Sequence, residues 1–400
     1  MRWSRSIGRT ILRHQCSDVR PTLRALSTSS RVASQRRLIL GIETSCDDSC
    51  AAVVSSDRTV LSSIVSKQDH SSTGGIHPLS AALGHHANLP STIAAALSTA
   101  NVEPGELDAI AVTQGPGMAS SLGVGLSAAK TLAAVLRKPL MYVHHMQAHA
   151  LTPLLTEPTP PRFPFLVLLV SGGHTMLVLA TSVTEFRTLA TTTDDSIGDA
   201  FDKVARDLGI PWTSAPGAVL EALAARAPPT RDVTFPVPCR GQPLFSYSGL
   251  KAAVQRHIDS IPPVDLDDTR KATIASAFQH AACAQLQDKL DMLLRPSSHI
   301  HDDRGRLLPR IALPGSASGD DIKTLVCSGG VASNAFLRTQ LRSHLDALGR
   351  PDVELQFPPL SLCTDNAAMI AWVGHLIHHQ RTDDYSRHAR AKWSMEDIPH

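Results

Sequence analysis

Two stretches of this chain share one layout, and that repetition restricts the fold more than any other feature. Residues 38–42, 50–54 and 60–65 are short apolar runs parted by tight polar turns, the first of which is Glu43-Thr44-Ser45-Cys46-Asp47-Asp48-Ser49. The arrangement returns at 165–170, 175–180 and 185–190, with Ser171-Gly172-Gly173-His174 as its first turn. Short apolar runs bounded by turn residues read as strands, so each stretch is a three-strand meander. Its recurrence implies two similar lobes. Helical and strand segments follow each meander, which predicts an α/β fold of two lobes with a cleft between them.

In the first half these segments are a helix over 89–97, a strand over 107–113, the turn Gly115-Pro116-Gly117 and a helix over 120–136. The face of that last helix through Gly123, Ser127 and Ala128 suits close packing. In the second half they are helices over 199–208, 219–225 and 272–294, a strand over 324–327 running into Ser328-Gly329-Gly330, a helix from Ser333, an extended run at 352–357 and an apolar helix over 367–376. Between 295 and 321 the composition shifts to Pro, Ser, Gly, His and Asp, an exposed loop or insertion.

The first 37 residues differ from the rest. They hold nine arginines, no lysine, one acid (Asp18) and many serines, the pattern of a mitochondrial presequence, and so predict a matrix location. Without them the chain has 29 basic and 35 acidic residues, a formal −6, so any nucleic-acid contact must be a local patch. No run approaches the length of a membrane span, and no membrane partner is expected. The seven cysteines form no CxxC pair, which fits free thiols in a reducing compartment.

His145 and His149 stand one helical turn apart and can share a metal. With 19 histidines in the chain such a pair also arises by chance, as His375 and His379 illustrate. Three strand ends finish in short glycine or acidic turns, at Asp47-Asp48, Ser171-Gly172-Gly173 and Ser328-Gly329-Gly330, whose freed amides favour phosphate oxygens. The alternative is that these are tight turns needing positive φ. Acids suited to orienting a metal or a ribose are Asp47, Asp48, Asp202, Glu221 and Asp365. Each taken singly is also a plausible helix cap; Asp365, just before Asn366, either caps a helix or completes a two-histidine, one-carboxylate site.

Taken together, Leu40-Gly41-Ile42-Glu43-Thr44-Ser45-Cys46-Asp47-Asp48, Val143-His144-His145-Met146-Gln147-Ala148-His149, Leu169-Val170-Ser171-Gly172-Gly173-His174-Thr175, Phe245-Ser246-Tyr247-Ser248-Gly249-Leu250-Lys251, Gly329-Gly330-Val331-Ala332-Ser333-Asn334 and Cys363-Thr364-Asp365-Asn366 resemble the tRNA N6-adenosine threonylcarbamoyltransferase family, once described as O-sialoglycoprotein endopeptidases. The blocks stand in family order across 38 to about 394. The resemblance implies the two-lobed fold of actin, sugar kinases and heat-shock chaperone ATPases, with duplicated ribonuclease H-like domains. Lobe I would span 38–150, with a C-terminal helix over 367–400 packing back on it, and lobe II 151–366 with the insertion at 295–321.

The implied reaction moves the threonylcarbamoyl group of threonylcarbamoyl-AMP to N6 of the adenosine 3′ to the anticodon, in mitochondrial tRNAs reading codons that begin with A. His145, His149 and Asp365 would hold one divalent ion per subunit, iron or zinc. Leu169, Val170, Ser171, Gly172, Gly173 and Asn334 would line the nucleotide pocket, with Asp202, Gly217 and Glu221 at its sugar or base. Asp47 would accept the amine proton or position the donor, with Asp48 tuning it. Lys251 would face the tRNA or pack at a lobe surface. A threonylcarbamoyl-AMP synthase is the implied functional partner, ATP is a further candidate ligand, and the organellar branch implies a homodimer.

The chain departs from the family at Leu79 and Leu83, where a Glu and an Arg are usual, and at Pro211-Trp212-Thr213-Ser214-Ala215-Pro216-Gly217, which replaces a Pro-Gly-Gly-Pro turn. Two rivals share some of these features. An actin-like or sugar-kinase ATPase would use the phosphate turns without needing the histidine pair. A zincin metalloprotease needs Glu directly after the first histidine, where this chain has Met146.

Overall fold

The computed structural model describes residues 36–70, 76–211, 215–228, 232–296, 307–314 and 318–399. The basic leader up to residue 35, residues 297–306 and 315–317 of the insertion and part of the 211–217 turn lie outside the described residues. Arg36 and Arg37, grouped with the leader on the sequence, are instead bound to the first meander: Arg36 pairs with Asp57 at 3.2 Å, and the Arg37 amide donates to Ser56 Oγ at 3.1 Å.

The first sheet holds β1 (Leu38–Glu43), β2 (Ser49–Ser55), β3 (Val60–Ser66), β4 (Ala109–Gly115) and β5 (Leu140–His144) in the order β3-β2-β1-β4-β5. The meander is antiparallel, and β4 and β5 run parallel to β1. The second sheet holds β6 (Phe165–Val170), β7 (Thr175–Ala180), β8 (Phe186–Thr192), β9 (Leu244–Phe245), β10 (Thr324–Ser328) and β11 (Glu354–Gln356). Its order, β11-β10-β6-β7-β8-β9, repeats the first sheet's order and strand senses, with β9 added at the edge.

Ten helices are described. They are α1 (Pro78–Ala100), α2 (Ala119–Leu136), α3 (His145–Thr156), α4 (Ile197–Asp207), α5 (Pro216–Ala224), α6 (Ser248–Asp259), α7 (Asp268–Leu294), α8 (Ala335–Ala347), the short α9 (Leu360–Cys363) and α10 (Ala367–Leu376). Strand side chains alternate between faces, so Leu40 and Ile42 of β1 pack under α1 and α2, while Ile39 points to the opposite face. That opposite face meets the second sheet. Between the sheets lies one apolar cluster joining Ile39, Ala52 and Val54 to Val167, Leu169 and Val178, with Ala148 and Leu151 of α3 and Ile370 and Val373 of α10. A further cluster packs α4 to α8 on the outer face of the second sheet around Phe278.

Several elements differ from the expectations. The helix expected at 89–97 begins at Pro78 and runs through Pro90. Its buried stripe, Ala81, His85, Leu89, Ile93 and Ala96, continues unbroken past the proline, so packing outweighs the lost amide bond. The C-terminal helix that the resemblance extends over 367–400 ends at Leu376, where the apolar run read from the residues ends; beyond it Thr382 exchanges both backbone hydrogen bonds with Leu140, each 2.9 Å, and so extends along β5 instead. Gly123 and Ser127 are exposed, and the close approach on α2 is at Gly125, where a Cβ would meet Thr44 Oγ1 at 2.3 Å. Against the expectation that no run approaches a bilayer's span, α2 is long and apolar enough by length and composition, yet here it packs Leu122, Leu126 and Ala133 into the lobe.

Candidate active site

The histidine pair forms because β5 runs without a loop into α3. His144, the last residue of β5, caps the helix: its Nδ1 accepts from the Met146 and Gln147 amides at 3.1 and 3.3 Å, while its Nε2 donates to the Trp393 carbonyl at 3.0 Å. Burial pushes the His144 pKa down to about 3, consistent with that single neutral tautomer. His145 and His149 then stand on one buried face, ring centroids 4.7 Å apart.

Asp365 reaches them from the other side of the chain. Its Oδ1 lies 3.5 Å from His145 Nε2 and 3.3 Å from His149 Nε2. The helix-cap alternative for Asp365 falls to its neighbour. Asn366 Oδ1 accepts from the Met369 amide at 3.0 Å, and its amide group donates to the Leu362 and Thr364 carbonyls, so Asn366 caps α10 and the Asp365 carboxylate turns to the histidines.

A metal fits this set. One ligand atom from each of the three residues lies within 4.8 Å of the others. A tetrahedral ion about 2.1 Å from each ligand would hold its ligands roughly 3.4 Å apart, close to the 3.3 and 3.5 Å found. The electrostatics agree. Burial alone would discharge His145, but the Glu43 and Asp365 carboxylates outweigh it and hold its pKa up at about 10, while burial pulls His149 down. The pocket therefore stabilises one positive charge against two carboxylates, and a cation can take the place of that proton.

Glu43 was not singled out by its sequence, and it is the orienting group. It is fully buried at the end of β1, where its Oε2 accepts from His145 Nδ1 at 3.1 Å and from Thr113 Oγ1, and its Oε1 accepts from the Ser45 amide at 2.5 Å. A carboxylate on the far nitrogen of a ligand histidine fixes the ring and its tautomer. The available signal was a lone acid ending an otherwise apolar strand. Glu43→Gln is expected to weaken metal affinity about 10- to 100-fold with the fold intact; competition with a chelating dye would read it, and wild-type affinity would contradict the role.

The turn after β1 is clamped from several sides. Thr44 Oγ1 donates to the Ser121 carbonyl at 2.9 Å, the Met118 amide to the Ser45 carbonyl at 2.8 Å, and His85 Nε2 to the Cys46 carbonyl at 2.9 Å. Asp47 lies 3.7 Å from His70 Nε2. Asp48 is part-buried, and burial followed by the charges of Asp47 and Asp365 pushes its pKa up to about 6. Burial likewise holds the Cys46 thiol protonated.

On the second sheet, Leu169 and Val170 have buried side chains and offer only backbone, whereas the turn after them is open. Gly172 and Gly173 do not have positive φ, and a Cβ on either would meet nothing within 4 Å. Neither the fold's backbone nor its packing requires glycine there, which favours the ligand-approach reading over the tight-turn one. Gly329 does fit the latter, with φ +99° and a Cβ that would strike the Val170 carbonyl at 2.3 Å. Ser196 at the head of α4 fixes the open turn by donating to the Gly172 carbonyl at 2.6 Å.

Asp202, Gly217, Glu221 and Asn334 form a second group on α4, α5 and α8. Asp202 accepts from the Gly217 amide at 3.1 Å, and burial raises its pKa. Glu221 accepts from the Ala335 and Phe336 amides at 2.7 and 3.2 Å, and Asn334 from the Leu337 amide at 2.7 Å, so both carry the N-terminus of α8. Lys251 is an internal latch, 2.6 Å from Asp195. The second histidine pair is not one: His375 donates to the Val54 carbonyl at 3.0 Å, and α10 ends before His379. Met146, where a zincin has its glutamate, is buried.

Comparison with known proteins adds the following. The sequence profile of the TsaD family, tRNA N6-adenosine threonylcarbamoyltransferase, matches residues 59–372. A tRNA N6-adenosine threonylcarbamoyltransferase of Chelativorans sp. (strain BNC1) is 41% identical over 344 residues, 84% of this chain and 88% of that protein. One from Rhizobium leguminosarum bv. trifolii (strain WSM2304) is 41% identical over 368 residues, 90% and 94% of the two chains. Among solved structures, HypF of T. kodakarensis superposes with a TM-score of 0.54 at 13% identity, over 86% of this chain and 48% of its own, a likeness of fold alone.

Proposed function

The chain belongs to the tRNA N6-adenosine threonylcarbamoyltransferase family, tRNA-modifying transferases with the two-lobed α/β fold of the actin-like ATPases, and from that premise we propose how this site performs the transfer. The donor is threonylcarbamoyl-AMP, and the acceptor is N6 of the adenosine 3′ to the anticodon. The observation that carries the reading is the convergence of His145, His149 and Asp365 where the turns of the two sheets meet.

These three residues would hold one divalent ion, iron or zinc. When bound, it withdraws charge from the donor phosphate and improves the leaving group. Every other contribution is the chain's own. Glu43 locks the His145 ring, and the exposed Gly172 amide takes a phosphate oxygen, the Ser171 amide being held by the His174 carbonyl at 2.8 Å and the Gly173 amide by Ser171 Oγ at 3.3 Å. Asp202 and Gly217 flank the sugar, while Glu221 and Asn334 keep the α8 end of the pocket in place. At the Asp47-Asp48 turn, Asp48 is the better suited proton acceptor, because a group titrating near 6 is both free to accept and able to release at neutral pH. ATP is a further candidate for the same cradle.

The test is reconstitution with a threonylcarbamoyl-AMP synthase, threonine, bicarbonate, ATP and unmodified tRNA, followed by nucleoside mass analysis. Threonylcarbamoyladenosine is the expected product; its absence while the synthase is active would sink the reading. ATP hydrolysis undiminished in a His145→Ala, His149→Ala double variant would favour the ATPase reading instead.

The basic leader supports a mitochondrial matrix location and mitochondrial tRNAs as substrates, tested by import of the leader fused to a reporter into a protease-protected compartment. A homodimer is supported by α1 and α2. Leu79 and Leu83, one turn apart, are 63% and 62% exposed beside an open groove of about 460 Å³ lined by His86, Leu89, Val124, Ser127 and Ala128. Leu83→Lys is expected to shift the mass in light scattering from two chains toward one; a wild-type chain already monomeric at micromolar concentration would refute the dimer.

A further inference from the structure

The chain beyond α10 is a strap, residues 377–399, that crosses the ends of β4 and β5 and reaches the second sheet. Its backbone is pinned along its length. The Arg390 amide donates to the Gln114 carbonyl at 2.8 Å, Gln114 Nε2 to the His388 carbonyl at 2.9 Å, the Gly117 amide to the Ala391 carbonyl at 3.2 Å, and Tyr142 OH to the Asp384 carbonyl at 2.7 Å. At its far end Glu396 pairs with Arg187 at 2.9 Å and accepts from the Thr188 amide of β8. This accounts for its main chain, and Trp393, Met395 and Ile398 pack into the cluster between the sheets, which leaves the polar side chains of its middle to explain.

The middle of the strap is basic, although the whole strap is balanced by Asp383, Asp384, Glu396 and Asp397. Residues 385–393 contain Arg387, Arg390 and Lys392 and no acid, in a chain whose body carries a formal −6. Two of them are posed. The Arg387 guanidinium lies over the Tyr142 ring at 5.1 Å and that of Arg390 over Trp393 at 4.2 Å. Both line one cavity of about 190 Å³, shared with Gln114, Tyr142, Gln147 and Trp393, and among the described residues no carboxylate lines it. Arg387 has an exposed contact with Asp384 at 3.6 Å outside the cavity, and Arg390 has no ion pair among the described residues. Stacking holds a guanidinium plane while leaving its N–H edge free, and that edge matches phosphate oxygens two at a time.

We propose that this cavity binds a backbone phosphate of the RNA substrate, the two stacked arginines gripping it while the adjoining nucleotides run to the metal site. The path is short: Trp393 accepts from His144, the residue before His145, and Gly117, bonded to Ala391, packs against Ser45, whose Oγ is 3.2 Å from His145 Nδ1. The proposal rests on the reading that this chain acts on tRNA, and it answers where a net-acidic protein places the local positive surface that RNA requires.

The experiment measures tRNA affinity of the full chain across a salt series for wild type, Arg387→Ala/Arg390→Ala and Arg387→Lys/Arg390→Lys, with thermal melting to check each fold. Each phosphate contact removed should lower the slope of log K against log salt by about one. With one phosphate gripped by both arginines, the alanine pair is therefore expected to lose about one and the lysine pair to keep most of the slope. An unchanged slope in the alanine pair overturns the proposal, and so does an equal loss in the lysine pair, whose charge is intact. Calorimetric binding of inorganic phosphate that the alanine pair abolishes, with its tRNA slope unchanged, would assign the cavity to free phosphate and overturn it too. If wild type shows the slope but makes no modified nucleoside, the activity reading fails while the surface stands.

Discussion

Asp365→Ala should purify as a folded protein that has lost its metal and its transfer activity. Asp365 supplies the only carboxylate of the three-residue set, and its charge is drawn well below the usual carboxylate range because the positive His145 and the His149 ring outweigh its burial. Removing it deletes a ligand rather than an orienting contact, so the loss should exceed the roughly 100-fold ceiling for groups such as Glu43. The cap on α10 belongs to Asn366 and survives, which is why stability should change little. Metal content by mass spectrometry and single-turnover transfer would read it. Full metal occupancy with wild-type transfer would show that the site is assigned wrongly.

Gly41→Val is the corresponding test of the scaffold. A Cβ at Gly41 of β1 would lie 2.2 Å from the Ala367 carbonyl and 2.8 Å from the Ala371 amide, both backbone atoms of α10 that cannot swing aside. The helix also rests on the sheet through Gly374, whose Cβ would strike Ala111 and Met141. Valine must therefore lift α10, and Asp365 stands two residues before that helix begins. A loss beyond the ~1–3 kcal/mol usual for overpacking is expected, together with reduced metal affinity. A melting temperature and metal content equal to wild type would mean that α10 is not held as tightly as this contact requires.

Much of the frame was legible beforehand. The two meanders stand where their apolar runs and turns put them, because alternation and turn chemistry are local properties. What local pattern could not supply was length and competition. The stripe of α1 continues through Pro90 because β2 and β3 lie beneath it, whereas the end of α10 at Leu376 was legible in its apolar run. The first outcome depends on residues distant in sequence.

The site divides the same way. Sequence determined that two imidazoles would stand one turn apart on a helix and that polar and glycine turns would end strands, because 3.6-residue periodicity and turn propensity are written in neighbouring residues. Spacing alone did not distinguish His145 and His149 from His375 and His379, nor Asp365 as ligand from Asp365 as cap; only the family resemblance favoured the first pair and the ligand role. Tertiary structure decided those questions: α10 ends before His379, Asn366 takes the cap, and Glu43 arrives from a strand 102 positions away to hold His145. The reason is physical. A ligand set and its orienting carboxylate are defined by distances of about 3 Å between groups on different elements, and only the packing of two sheets around α3 and α10 brings those groups together.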